Sequence, residues 1–166
     1  MTAEVRWARP EDTDDLALLL RELAIHYRQE PLDKDRTIAA VGRWLEDENP
    51  AYPHFALAYR NDEVAGLASV AIAHPGSDLE RLLFLKDLFV RDKFRSAGVG
   101  VSLLAFLASE CLARGIGRID LTTENWNEGA LRFYDRLGAA RHDQKVFLRF
   151  ETDALNALAR QASDPI

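Results

Sequence analysis

Cysteine is nearly absent: Cys111 stands alone in 166 residues. That excludes an internal disulfide and any cluster of cysteine metal ligands. With Leu107 and Leu112 nearby, Cys111 reads as a buried structural thiol. The histidines His26, His54, His74 and His142 show no ligand spacing, so local structural or surface roles are expected of them and no metal. No stretch reaches the ~20 uninterrupted apolar residues of a membrane-spanning helix. The opening "MTAEVRWARPEDTDD" has no apolar core of signal-peptide length. The expectation is a soluble cytoplasmic protein with no membrane partner. Positive charge is in deficit, with 21 Lys and Arg against 27 Asp and Glu, a net charge of -6. An acidic chain gains nothing from counterion release, which argues against nucleic acid as a partner. Linkers, repeats and low-complexity segments are also missing, so residues 1–166 are read as a single domain.

What is present is a regular succession of elements. "AEVRWA" suits a short first strand. Leu16, Leu19, Leu20, Leu23 and Tyr27 then repeat at helical spacing, with Asp12 or Thr13 as cap and Pro31 as the stop. Ile38, Val41, Trp44 and Leu45 mark one side of a second helix, which Pro50 and Pro53 exclude from continuing. "HFALAYR", "NDE" and "VAGLASVAIA" read as strand, turn and strand, and His74-Pro75-Gly76-Ser77 as another turn. "LERLLFLKDLFVR" is a long strand, apolar on both faces near its end and therefore central. A helix runs from Gly98 to Arg114, stopped by Gly115 and Gly117. "RIDLTTE" and "RHDQKVFLRFE" read as strands, and "NEGALRFYDRLG" and "TDALNALARQA" as helices. The crossover from the strand near 82–91 to that at 118–124 implies parallel pairing, while the short turns earlier imply antiparallel strands. The fold class is a mixed sheet in an α+β or α/β domain.

The stretch "DKFRSAGVG" stands at a strand-to-helix junction. Free backbone N–H groups and the helix dipole make such a place an anion site. A Walker loop would need a lysine that is missing, and the dinucleotide pattern would need glycine where Leu103 stands. The alternative is a tight turn without a ligand. The loop has company downstream, however. "LKDLFVRDKFRSAGVG" followed by "NEGALRFYDRLGA" resembles the GCN5-related N-acetyltransferase (GNAT) superfamily. Arg95, Gly98 and Gly100 match that family's Arg/Gln-x-x-Gly-x-Gly/Ala cofactor loop. Asn127, Ala130, Phe133, Tyr134, Leu137 and Gly138 match its second motif. Within the family the chain is most similar to the diamine (spermidine/spermine-type) acetyltransferases.

The resemblance implies a central, mixed, mostly antiparallel twisted sheet with a splayed parallel strand pair, flanked by helices. It implies acetyl-CoA as cofactor, a small-molecule amine acceptor and a homodimer. Leu88, Phe89 and Val90 would offer strand backbone to the pantetheine arm and the acetyl carbonyl. Arg95, Ser96, Ala97, Gly98, Val99, Gly100 and Val101 would wrap the pyrophosphate. Asn127 would hydrogen-bond the cofactor, and Tyr134 would lie near the thioester sulfur. Ser96 replaces a frequent family glycine.

The chemistry can be read from residue types. An ammonium must lose its proton before it can attack, the developing oxyanion needs a donor, and the leaving thiolate benefits from a proton. Backbone N–H groups near 88–90 can serve as donors. Tyr134 can serve as the acid; its alternative reading is a core tyrosine on an amphipathic helix. Lys86 stands where the diamine acetyltransferases usually carry glutamate as base. Asp87 and Glu124 are the carboxylates left to relay a proton through water, and Lys86 would suit a substrate with an acidic group. Trp126 reads either as a wall of the acceptor pocket or as a cap on the core. Glu30, Asp33 and Asp35 read as a solvated loop or as an attraction for an amine. The expected activity is acetyl transfer to a primary amine of a diamine-like or amino-acid-like small molecule. The other readings are a non-catalytic acyl-CoA-binding module and an acetyltransferase for protein N-termini or lysines.

Overall fold

In one tight connection, Asn61 and Asp62 both take left-handed backbone, with φ of 51° and 60°. A two-residue hairpin needs that conformation to match the right-handed twist of its strands. The turn joins β2 (His54–Arg60) to β3 (Glu63–Ala73). The computed structural model describes residues 3–47, 52–74 and 79–163. The expected turn at Pro75-Gly76-Ser77, and Pro50, lie outside the described residues.

The sheet is completed by β1 (Glu4–Trp7), β4 (Leu82–Val90) and β5 (Ile119–Leu121), in the spatial order β1-β2-β3-β4-β5. Pairings from β1 through β4 are antiparallel, and β5 runs parallel to β4. The parallel step demands a crossover, supplied by α3 (Val99–Ala113). The mixed, mostly antiparallel sheet with one parallel pair is the expected one. β5 is shorter than its sequence suggests, with strand geometry over Ile119–Leu121 only.

Each face of this sheet has its own core. On one face, α3 brings Leu103, Leu107 and Cys111 down onto Ala56, Ala58, Ala65 and Ala68. The small strand residues let a leucine-rich helix approach closely. On the other face, α1 (Thr13–His26) and α2 (Lys34–Glu46) bury Leu16, Leu19, Leu23 and Val41 against Phe55, Leu57, Leu67 and Phe89. Cys111 is buried as expected, but Leu112 beside it is exposed. Burial pushes the Cys111 thiol up, away from its reactive thiolate form.

Two polar details fix the entries of the helices. Asp12 does not cap α1 with its side chain. It accepts two bonds from Arg6 (2.6 and 2.7 Å), one from the Arg9 N–H and one from the Tyr59 hydroxyl. Asp33 caps α2 through the Arg36 N–H, and Asp35 lies in that helix's first turn. The acidic cluster is thus partly helix cap rather than loop.

The described chain divides into two compact units, one ending at Thr122 and the other beginning at Thr123. The second holds α4 (Glu128–Arg136) and α5 (Thr152–Ser163). Gly138, at φ 86°, turns the chain after α4. The strand expected over 141–151 does not form among the described residues. A run of apolar residues makes a strand only where a neighbour supplies the ladder. No described strand pairs with this segment, and Val146, Phe147, Leu148 and Phe150 are exposed.

Candidate functional site

The site is organised by an irregularity in β4. Ser69 of β3 faces Asp87 and Val70 faces Leu85, so Lys86 is an extra residue with no opposite number. Such a bulge reverses the alternation of faces. Before it, Leu83 and Leu85 point into the α3 core; after it, Leu88 and Val90 do, while Phe89 points into the α1/α2 core. The bulge therefore brings the Lys86 and Asp87 side chains to one side. Lys86 Nζ lies 3.5 Å from Asp87 Oδ1. Lys86 is 65% exposed at its side chain and Asp87 only 16%.

The same strand loses its parallel neighbour halfway. β5 pairs with β4 only from Leu83–Ile119 to Leu85–Leu121. Beyond that point, Leu88, Phe89 and Val90 keep β3 on one edge and have no described strand on the other. This opened edge offers backbone donors and acceptors to an extended ligand.

β4 leads through a short turn at Asp92–Phe94 into the glycine loop. Ser96 takes φ 59°, and Gly98 takes φ 80° immediately before α3. The helical ladder opens with the Ser102 N–H donating to the Gly98 carbonyl at 2.9 Å. The amides of Val99, Gly100 and Val101 come before that bond, at the positive end of a 15-residue helix. Ala97 accepts from Arg60 Nη1 through its carbonyl, 3.4 Å away. Arg95 is folded back rather than extended. Its guanidinium pairs with Asp92 at 2.7 Å, donates to the Val90 carbonyl at 3.3 Å and lies 3.4 Å from His26 Nδ1. The loop's attraction for anions therefore rests on its backbone amides more than on this side chain.

Two supports were not singled out in the sequence. Arg91, directly after β4, grips both carboxylate oxygens of Glu22 on α1 (3.0 and 3.1 Å) and donates to Glu63 at 2.9 Å. Those hydrogen bonds, Glu22 first, hold its guanidinium above the usual arginine range. The pair ties the end of β4 to α1. Beside it lies an open cleft of about 390 Å³ lined by Glu22, His26, Phe89, Arg91 and Lys93. Gly66 is the second support: a Cβ there would stand 2.5 Å from the Phe89 carbonyl oxygen. A glycine inside a strand run is a sequence signal for such a close approach.

In the unit beginning at Thr123, Asn127 is the N-cap of α4. Its Oδ1 accepts from the Ala130 N–H at 3.1 Å, which leaves Nδ2 as the donor for a ligand. Tyr134 is half-buried on α4, with its ring edge-on to Phe133 at 5.2 Å. Glu124 is exposed, and its carbonyl accepts from the Asn127 N–H. Trp126 is 70% exposed, so it does not cap a core.

A sheet whose parallel pair parts over a glycine-opened helix is a frame for holding an extended, phosphate-bearing cofactor. The comparisons with known proteins agree. The model of the acetyltransferase (GNAT) family matches residues 17–139. An aminoalkylphosphonate N-acetyltransferase from Salmonella typhimurium is 30% identical over 135 residues, which is 81% of this chain and 83% of that protein. The L-ornithine N5-acetyltransferase NATA1 of Arabidopsis thaliana is 30% identical over 115 residues, 69% of this chain and half the length of that relative. An integron cassette protein from the mobile metagenome of V. cholerae superposes with a TM-score of 0.79 at 28% identity, covering 96% of this chain and 99% of that one. The chain belongs to the acetyltransferase (GNAT) family, and the relatives named here are N-acetyltransferases or share its fold.

Proposed function

We propose that the protein is an acetyl-CoA-dependent N-acetyltransferase that acylates a primary amine of a small molecule by direct attack. The observation that supports it best is the parting of β4 from β5 beyond Leu85, on a strand that leads into the Gly98 loop. The residues present suit the cofactor: an unpaired strand edge matches a pantetheine amide chain, and the amides of Val99, Gly100 and Val101 match a pyrophosphate. Acetyl-CoA would supply an activated acyl carbon and a thiolate leaving group.

This chain's residues supply the rest. Ser96, Ala97 and Gly98 shape the loop around the phosphates. Leu88, Phe89 and Val90 orient the acyl arm, and the N–H groups of Leu88 and Val90, which alternate with those directed at β3, stabilise negative charge on the reacting carbonyl oxygen. Asn127 Nδ2 donates to the cofactor. Tyr134 holds the proton for the departing sulfur. Asp87 takes the amine's proton through water, with Glu124 as the other carboxylate open to that role.

Lys86 refines the acceptor. A cation beside the base repels a polyamine but welcomes an amine that also carries an acid. The similar proteins act, by name, on ornithine, thialysine and aminoalkylphosphonates, each an amine bearing a carboxylate or phosphonate. We therefore take the substrate to be an acid-bearing amine. The reading also takes residues 1–166 as one functional domain of a cytoplasmic homodimer. No helix among the described residues is long and apolar enough to cross a membrane.

The test is thiol release from acetyl-CoA with ornithine, thialysine, 2-aminoethylphosphonate, putrescine and spermidine. Turnover should favour the first three, and Lys86→Glu should shift preference toward the polyamines. Thiol release from none of them, with no CoA binding by calorimetry, refutes the acetyltransferase. CoA binding without turnover favours a binding module instead. Higher kcat/KM for spermidine in the wild type refutes the acid-bearing substrate alone.

A further inference from the structure

We propose that Lys86 is itself a modification site: with no acceptor present, the protein transfers an acetyl group from acetyl-CoA to Lys86 Nζ and so resets its own choice of acceptor. Such self-acetylation presupposes the acetyl transfer proposed above and regulates that same site. Transfer needs an amine, a carboxylate that takes its proton, and the acyl carbon within reach. The chain supplies the first two by itself. Lys86 and Asp87 stand between Leu85 and Leu88, which both point into the α3 core. Strand alternation therefore turns both polar side chains the other way, to the side of α1 and α2.

On that side Lys86 Nζ lies 3.5 Å from Asp87 Oδ1, the carboxylate assigned to the acceptor's proton. The Lys86 amine thus stands where an acceptor amine has to stand, and the contact that pairs it is the one that deprotonation uses. Lys86 is mostly exposed and makes no second ion pair among the described residues. Leu88, on the opened edge, is two residues on, about 7 Å along the strand. The flexible four-carbon stem of a lysine spans most of that step. The other lysines are Lys34, Lys93 and Lys145. Lys34 opens α2, Lys93 pairs with Glu63, and Lys145 is exposed in the segment after α4.

The step balances with acetyl-CoA as the only co-reactant. The Lys86 ammonium gives one proton to Asp87, which passes it to solvent. Nζ then forms the N–C bond to the acetyl carbon as the C–S bond breaks. The second nitrogen proton leaves with the sulfur, so CoA departs as its thiol and Lys86 becomes a neutral amide. Acetylation removes the cation and its pairing with an anion. The modified protein therefore loses the contact that favours an acid-bearing amine. An acid-bearing acceptor, while bound, keeps Lys86 paired and unmodified.

The experiment incubates the full chain with acetyl-CoA and no acceptor, and follows acetyl groups by intact mass and peptide mapping. Lys86 should be acetylated about tenfold or more faster than Lys34 or Lys145. N-acetoxysuccinimide, which needs no cofactor site, should label Lys34, Lys86 and Lys145 alike. Excess CoA thiol should protect Lys86 from acetyl-CoA without changing the slow labelling of Lys145. Asp87→Asn should slow Lys86 labelling about tenfold. Lys86→Arg keeps the cation but not the amine, and gives a second reading should the first variant misfold. After exposure to acetyl-CoA it should still prefer ornithine to putrescine, a preference the acetylated wild type should lose severalfold. Lys86 labelled no faster than Lys145, no protection by CoA thiol, the same Lys86 excess with N-acetoxysuccinimide, or an unchanged rate in folded Asp87→Asn overturns self-acetylation alone, even where CoA binds and ornithine is acetylated. No CoA binding and no thiol release with any amine refute the underlying function and this regulation with it.

Discussion

Replacing Gly66 with alanine tests whether β3, β4 and α3 are locked together as the geometry requires. A Cβ at position 66 would lie 2.5 Å from the Phe89 carbonyl oxygen, 3.3 Å from Val90 Cα and 3.4 Å from Val99 Cγ1. The first two are backbone atoms, which cannot swing aside as a side-chain end would. Gly66 sits at a second bulge, where Ala58 faces Gly66, Tyr59 faces Val64 and Ala65 is the extra residue. Either β4 moves away from β3, breaking the Gly66–Val90 register, or the α3 start is pushed outward. Overpacking of this kind costs roughly 1–3 kcal/mol, and backbone contact places it near the upper figure. At roughly 2–4 °C per kcal/mol, Tm should fall by about 6–12 °C. CoA affinity should fall too, because the displaced atoms belong to the segment assigned to the cofactor. Gly42→Ala is the control: its Cβ would meet only Thr13 Cγ2 at 3.9 Å, inside α2. Removing a helical glycine should raise stability by about 0.5–1 kcal/mol. Scanning calorimetry of both variants decides the matter. A Gly66→Ala Tm within about 1 °C of wild type would show that the strands are not locked as described.

Ser96→Gly should stabilise the protein by about 0.5–1 kcal/mol and leave CoA affinity intact, since φ 59° favours glycine; chemical denaturation and calorimetry read the two quantities. Tyr134→Phe should lower kcat by about 10²-fold or more with CoA binding unchanged, the signature of a lost proton donor; equal kcat would remove the residue from the reaction. Asp12→Asn should cost about 2 kcal/mol, because Arg6 then loses its buried partner yet keeps some access to solvent. The Arg6 guanidinium holds the folded Asp12 carboxyl below its ordinary value, so the unfolded chain takes up the proton first. The pair's stabilisation is full above about pH 4 and is lost as pH falls through the lower, folded value. Wild-type Tm should therefore converge on that of the variant in acid, and a constant gap from pH 7 to pH 3 would refute the linkage.

Helical spacing placed α1, α2 and α3 well because each buries one stripe, and Leu16, Leu19 and Val41 are as buried as the pattern demands. Glycines marked the chain reversals for a local reason: Gly98, Gly115 and Gly138 all adopt positive φ. Pairing was less legible. Strand partners are chosen by distant residues, so the apolar run at 146–150 looked like a strand without any signal that could show its ladder missing. β5 was overextended for the same reason, since its useful length is set by where β4 leaves it, not by its own sequence.

The bulge has its greatest consequence at Lys86. In a regular strand its side chain and that of Asp87 would face opposite sides, and a lysine in place of an acid would merely delete a base. The bulge, invisible in the sequence because it depends on the register with β3, turns both side chains to one side and sets Nζ 3.5 Å from Oδ1. The ammonium so placed presents an anion contact beside the carboxylate assigned to the acceptor's proton. The same substitution that weakens the case for a polyamine thus strengthens the case for an acceptor carrying its own acid, and Lys86→Glu separates these two consequences by reversing the acceptor preference.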